Sequence, residues 1–230
     1  IFFGVPTLGL DIFSLLPMRI YGIMTNFTLL AVPLFIFMGV ILERSGLAEK
    51  LLRDLSESFG SLRGGLTIST VLVGAILGAT TGVVGATVVT LGVIALPAMI
   101  KQNYPTKIAT GTIATAGTLG QIIPPSIVLI LLADIMGVPV GKLFVGAIIP
   151  SVILILLYLT YLISQGIYNP NLFPKSERFS SIAWKSIFIS ISPPLMLITL
   201  VLGSIIAGIA SPTESAALGC VGAIFLAISS

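Results

Sequence analysis

The sequence predicts an all-α integral membrane protein whose distinctive parts are a helical hairpin and a helix broken in mid-span. Three observations carry this. Charge is scarce: the 230 residues include 11 Lys+Arg and 8 Asp+Glu, 8% of the chain, against 56% hydrophobic residues, where soluble domains carry about 25% charge. The mean hydropathy is +1.17. The few charges are spaced so that apolar runs of membrane-crossing length lie between them. Finally, two of those runs are interrupted by Gly, Thr and Pro, where an ordinary span would be uniformly apolar.

The composition also excludes several function classes. There is no His and a single Cys, Cys220, which removes disulfide frameworks, Cys/His zinc sites and His-based catalytic triads. A net charge of +3 without a basic cluster offers no nucleic-acid footprint. An intramembrane enzyme would need paired acids or a metal-ligand cluster at membrane depth, and a pore subunit a filter motif. Neither is visible.

Charge-free runs cover 20–42, 64–100, 108–133, 143–174, 186–213 and 215–230. A crossing takes about 20 apolar residues, so 20–42, 108–133 and 186–213 each suit one span. In 143–174 the apolar stretch ends near Ile163, and Gln165-Gly166 and Asn169-Pro170-Asn171 read as loop. Between the first two runs, Leu47, Leu51, Leu55 and Phe59 recur every four residues. Glu43, Arg44, Glu49, Lys50, Arg53, Asp54 and Glu57 occupy the other faces. This predicts an amphipathic helix within 43–63 lying in the interface, started by Ser45 or Gly46 and stopped by Gly60 and Gly64-Gly65. It serves either as a surface connector or as a stiff lever between a fixed and a moving part.

Run 64–100 is too long for one crossing and barely enough for two. Its middle, Thr80-Thr81-Gly82-Val83-Val84-Gly85-Ala86-Thr87, is rich in Gly and Thr. Setting those residues aside leaves arms of about 14–16 residues, or roughly 21–24 Å of helix. The economical reading is a re-entrant hairpin whose polar tip stops inside the membrane, shielded by protein or facing a wet cavity. The alternative is two short tilted spans joined by an outside turn.

Either way the chain returns to the side it left, so Arg63 and Lys101 share a face. That face collects Arg44, Lys50, Arg53, Arg63, Lys101, Lys107, Lys175, Arg178 and Lys185, while the other receives Arg19 and Lys142. The bias makes the first face cytoplasmic. The arm helix 43–63 and the loops near 101–107 and 165–185 are then cytoplasmic, and Asp11, Asp134 and Glu214 lie toward the outside.

Run 108–133 begins as half a helix, Ala109–Gly120, with Thr112, Thr115 and Thr118 at three-residue spacing. After Gly117-Thr118-Leu119-Gly120-Gln121 come Pro124-Pro125-Ser126 and an apolar half, Ile127–Ala133. Pro125 lacks an N–H, and Pro124 forces its predecessor out of helical geometry. Such a break frees carbonyls on the first half, which suit Na⁺, and N–H groups on the second, which suit a carboxylate, as in secondary transporters. A packing kink is the plainer alternative.

Weaker signals have plainer readings. Gly74, Gly78 and Gly82 at spacing four suggest close helix packing. The Thr hydroxyls of 108–120 can bond back to their own helix, Pro193-Pro194 reads as a kink, and Glu214 reads as the cap of the next helix. A proton-relay role for Glu214 or Asp134 is a further alternative.

The run Gly111–Leu129 (GTIATAGTLGQIIPPSIVL) resembles the broken-helix motif of large permease subunits of TRAP transporters, the DctM type. So do Thr80–Thr90, Phe27–Gly39 (FTLLAVPLFIFMG) and Ser211–Ala217 (SPTESAA). The resemblance covers essentially the whole chain. It implies the ion-transporter-superfamily elevator fold, in which two inverted repeats each hold a hairpin and a broken helix. It also implies Na⁺-driven uptake of an organic acid anion, typically a carboxylate, across the bacterial or archaeal inner membrane. A periplasmic substrate-binding protein would deliver the anion to the large subunit and a small membrane subunit. No cofactor beyond the coupling ion Na⁺, no enzyme activity and no nucleic-acid partner are implied.

Carried over, the resemblance places a Na⁺ site between the tip (Thr80, Thr81, Gly82, Thr87) and the break (Thr118, Gly120, Gln121, Pro124). Thr81, Gly85, Pro125 and Ser126, with the amides after Pro125, would meet the substrate. Residues 1–63 would form a scaffold span and arm, 64–133 the transport repeat, and 134–230 scaffold spans and the start of a second half. One repeat is present where the family has two, so the chain is expected to be the N-terminal half of a longer protein. Another carboxylate carrier of the superfamily, or a proton-coupled carrier without a binding protein, is the alternative.

Overall fold

The structure, a computed structural model, describes residues 11–60, 62–174 and 184–229. Among them all regular elements are helical: α1 (Asp11–Met24), α2 (Ala31–Arg44), α3 (Leu47–Ser58), α4 (Gly65–Thr81), α5 (Val84–Lys101), α6 (Thr106–Thr118), α7 (Ile127–Met136), α8 (Val140–Tyr168), α9 (Trp184–Ile206) and α10 (Pro212–Ser229). Short 3-10 turns precede α2 (Phe27–Leu30) and follow α6 (Leu119–Gln121). Among the described residues four helical stretches, Phe27–Arg44, Val84–Lys101, Val140–Tyr168 and Ile187–Ile206, are long and apolar enough to cross a membrane.

Run 20–42 holds one crossing-length stretch, but it starts only at Phe27. The run divides after Met24, where Asn26 caps the next turn by accepting from the Thr28 N–H at 2.9 Å. The amphipathic arm is shorter than 43–63. Glu43 and Arg44 complete α2, and α3 starts after Gly46 and ends at Ser58. Its stripe falls as expected, with Leu47, Leu51 and Leu55 buried. The expected loop at Gln165-Gly166 is instead the last turn of α8. Gly166 sits there because a Cβ would lie 2.9 Å from the Arg63 carbonyl, so close approach, not a turn, explains the glycine. Pro193 and Pro194 lie within α9.

The centre of the fold is α4. It carries no charge and is buried along nearly its whole length, with the Thr67, Ser69 and Thr70 hydroxyls bonded to carbonyls one turn earlier, the pattern of a helix enclosed by protein. Around it, α3, α5, α6 and α8 contribute Leu51, Leu91, Ala116 and Leu162 to one core. A second core joins α2 to α7, α8, α9 and α10 through Phe35, Ile130, Phe144, Val201 and Ala216. Large hydrophobics on the periphery stay exposed, among them Val93, Ile149, Leu157 and Met196, as expected of a surface facing lipid.

Hydrogen bonds tie the loops into two ends. At one end the Gly64 N–H donates to Pro174 O at 3.3 Å. The Tyr104 hydroxyl reaches the same carbonyl at 3.5 Å, and its ring meets Phe173 edge-on. At the other end Asn26 Nδ2 donates to Asp134 Oδ1 at 2.5 Å, and Thr213 Oγ1 to Phe27 O at 2.6 Å. The loops beside Arg63, Lys101 and Lys107 therefore share an end, as the alternation of crossings requires. Of the cations assigned to that end, Lys175 and Arg178 lie outside the described residues.

Glu214 behaves as a cap. Its Oε2 accepts from the Ser211 N–H (2.7 Å) and Oγ (2.8 Å), while the Glu214 N–H donates to Ser211 Oγ at 3.3 Å, a reciprocal capping box for α10. Ser211→Ala is expected to cost about 1 kcal/mol, read as a fall of about 2–4 °C in melting temperature.

Candidate functional site

The hairpin tip and the broken helix meet at the level of their backbones. Gly82 ends α4 in the left-handed region at φ 60°, a conformation that favours glycine, and extended Val83 leads directly into α5. The tip is thus two residues, not the eight expected. Thr80 and Thr81 complete the first arm, and Val84–Thr87 begin the second. The arms run to 17 and 18 residues, about 25 and 27 Å. They outgrow the estimate because Thr80, Thr81 and Thr87 bond within the hairpin instead of breaking it.

Thr80 Oγ1 donates to Leu77 O at 2.8 Å and Thr87 Oγ1 to Val83 O at 2.9 Å. The Thr81 and Thr87 hydroxyls face each other across the tip at 2.9 Å. All three threonines are buried. The last carbonyls of a helix have no partner further along it, so the end of α4 presents oxygens beside this hydroxyl pair.

In the broken helix, α6 tightens into the 3-10 turn Leu119–Gln121, the chain passes through cis Pro124-Pro125, and α7 starts after Ser126. The break as read from Pro124-Pro125 is present, with neither half long enough to cross alone. Two of the carbonyls it frees are met by serines. Ser126 Oγ donates to Gln121 O at 2.5 Å, and Ser151 Oγ, from α8, reaches Ile122 O at 2.9 Å. Having spent its hydrogen, Ser126 offers acceptor lone pairs only, and the first amides of α7 remain the donors there.

The two interruptions cross closely. A Cβ at Gly78 would lie 2.5 Å from Gly120 Cα, and one at Gly74 would lie 2.7 Å from Ala116 O. At the tip, a Cβ on Gly82 would be 3.2 Å from Pro125 O and 3.4 Å from Ile127 N. The glycine stripe is therefore close packing at 74 and 78, and a helix end at 82.

Not every expected site residue gathers here. Thr81, Gly82, Thr87, Gly120, Pro124, Pro125 and Ser126 are buried at or beside the crossing. Thr118, Gln121 and Gly85 are exposed. Thr118 Oγ1 donates to Thr115 O at 2.8 Å, and Thr115 Oγ1 to Gly111 O at 2.7 Å, the back-bonding alternative. Ser151 escaped the sequence reading, since a lone Ser in an apolar run carries no local signal. Among the described residues no cluster of three or more Asp, Glu, Cys or His could hold a metal ion. Oxygens of Thr and backbone are what this crossing offers a cation.

An all-helical membrane protein with a hairpin packed against a broken helix is the class that fold and site define. The chain belongs to the family described as the DctM component of tripartite ATP-independent periplasmic transporters, whose model matches residues 2–230. It is 33% identical over 215 residues to the C4-dicarboxylate TRAP transporter large permease protein DctM of Pseudomonas aeruginosa, covering 93% of this chain and 49% of that protein. It is 32% identical over 232 residues to the DctM of Rhodobacter capsulatus (92% and 51%). With the ectoine TRAP transporter large permease protein TeaC of Halomonas elongata the identity is 32% over 197 residues (83% and 44%). The chain spans about half the length of these curated relatives. They are transporter permeases, not enzymes, and the chain is a multi-pass membrane protein.

Proposed function

We propose that this chain supplies one hairpin-and-broken-helix repeat to the large membrane subunit of a tripartite transporter. The transporter takes up an organic acid anion across the inner membrane, driven by Na⁺. A periplasmic binding protein hands over the anion, and a small membrane subunit completes the assembly. The observation that carries this reading is the buried, uncharged crossing of Gly78 with Gly120 and of Gly82 with Pro125 and Ile127. It puts helix-end carbonyls and the Thr81–Thr87 hydroxyl pair beside the first amides of α7, so cation and anion can bind side by side without a charged side chain.

In this proposal Na⁺ is cargo, held by oxygens of Thr80, Thr81, Gly82 and Thr87 from the tip and by backbone oxygens of Gly120 and Pro124 from the break, while Thr118 and Gln121, exposed and bonded elsewhere, are left out. The anion lies against the amides after Pro125, bounded by Thr81, Gly85 and Ser126. Burial of the tip threonines supports a re-entrant hairpin, since a tip within the membrane must be shielded by protein. The positive end is assigned to the cytoplasm. Residues 1–63 and 134–230 serve as scaffold against the moving repeat 64–133. The relatives' names, which cite C4-dicarboxylates and ectoine, support a small substrate bearing an acid group.

The test is anion uptake by the intact transporter as a function of Na⁺. Thr81→Val and Thr87→Val, which remove the buried hydroxyl pair, are expected to raise the Na⁺ needed for half-maximal uptake about tenfold, equivalent to ~1.4 kcal/mol of ion binding. Unchanged Na⁺ dependence in both would remove this site.

A further inference from the structure

A groove of about 350 Å³ runs between α6 and α8, away from the tip and the break. Gly111 lines one wall, Tyr158, Tyr161 and Leu162 line the other, and buried Phe173 closes one end beside Lys107. On both helices the lining positions follow helical spacing, from 108 to 115 and from 158 to 165, so the groove is a straight trough about 10 Å long. A Cβ at Gly111 would meet nothing within 4 Å, and Tyr161 is exposed, so the trough opens outward.

Its chemistry is graded. The body is mostly apolar and aromatic, with Thr112 and Thr115 also lining it and the Thr115 hydroxyl bonded back to Gly111 O; the one charged group, Lys107, sits with Gln165 at the Phe173 end, and no lining residue is acidic. That pattern fits a long apolar chain with an anionic head at one end. Basic pockets between membrane helices recognise anionic headgroups in this way. We propose that the trough holds an acyl chain of an anionic phospholipid, with its headgroup phosphate on Lys107, as a lipid site separate from transport.

The test compares retention of phosphatidylglycerol and phosphatidylcholine by the purified, delipidated intact permease, read by native mass spectrometry. Phosphatidylglycerol is expected to be retained about fivefold better, the effect of one cation near an anionic headgroup. Lys107→Ala and Lys107→Gln should bring that ratio close to one. Lys101→Ala, which removes an exposed lysine outside the trough, should leave it. Gly111→Leu, which fills the trough, should lower retention of both lipids. Equal retention by the unaltered protein, an unchanged preference in the Lys107 variants, or full retention by Gly111→Leu would each overturn the proposal. Displacement of the lipid by glycerol phosphate would do so too, since it would mark a site for a soluble anion.

Discussion

Gly78→Ala, which adds one methyl group, is expected to destabilise the protein by about 1–3 kcal/mol. The added Cβ would lie 2.5 Å from Gly120 Cα and 2.6 Å from Gly120 N. Both are backbone atoms of a packed helix, so no side chain can swing aside and the helices themselves must separate. Separation also pulls the tip from the break, so uptake should fall further than the loss of folded protein explains. Gly85→Ala is the contrast. It too lies near the tip, but a Cβ there meets nothing within 4 Å. No loss of stability is expected, and any fall in uptake then reports on the substrate path alone. Thermal melting beside uptake separates the two, and a Gly78→Ala protein as stable as the parent would refute the crossing.

Ser151→Ala is expected to cost a similar amount, about 1–3 kcal/mol, by a different route. Ser151 is buried, and its hydroxyl reaches both Ala147 O at 2.7 Å and Ile122 O at 2.9 Å. Ala147 lies within α8, where the helical ladder serves its carbonyl. Ile122 lies past the last turn of α6, where the ladder has stopped, so the serine supplies a donor the backbone does not. Ser164→Ala provides the control. That hydroxyl bonds only within its own helix, to Tyr161 O at 2.8 Å, and its loss should stay within about 0.5 kcal/mol. If the two alanine variants melt together, α8 does not support the break.

How much of this was legible in the sequence depends on how far apart the interacting residues lie. The hairpin, the arm stripe at Leu47, Leu51 and Leu55, and the break at Pro124-Pro125 are written locally, in spacing and in residues that cannot continue a helix. The Ser211–Glu214 cap was legible for the same reason. Long-range facts were not. Gly166 reads as loop because glycine ends helices, yet its reason is Arg63, about a hundred positions away. Thr80, Thr81 and Thr87 suggested a wide polar tip, because composition cannot tell a threonine that breaks a helix from one that bonds back into it. The carbonyl served by Ser151 lies 29 positions earlier, beyond any periodicity. Within the candidate site, the residue types were legible, but which of them are buried against one another was not.

The enclosure of α4 has a consequence for biogenesis. Its close partner at the crossing, Gly120, is 42 positions downstream of Gly78, and chains are made at about 5–20 residues per second. For about 2–8 s after Gly78 is made, the surface that ends against α6 has no α6 to meet. During that interval this surface must rest against lipid, the translocation machinery or the second arm, because α2 and α3, made earlier, cover other parts of α4. With 17 residues it is short for a crossing, and α5, the longer and more independent arm, is the nearest support. Insertion of the hairpin as a pair, completed only when the broken helix arrives, is the order of events this packing demands.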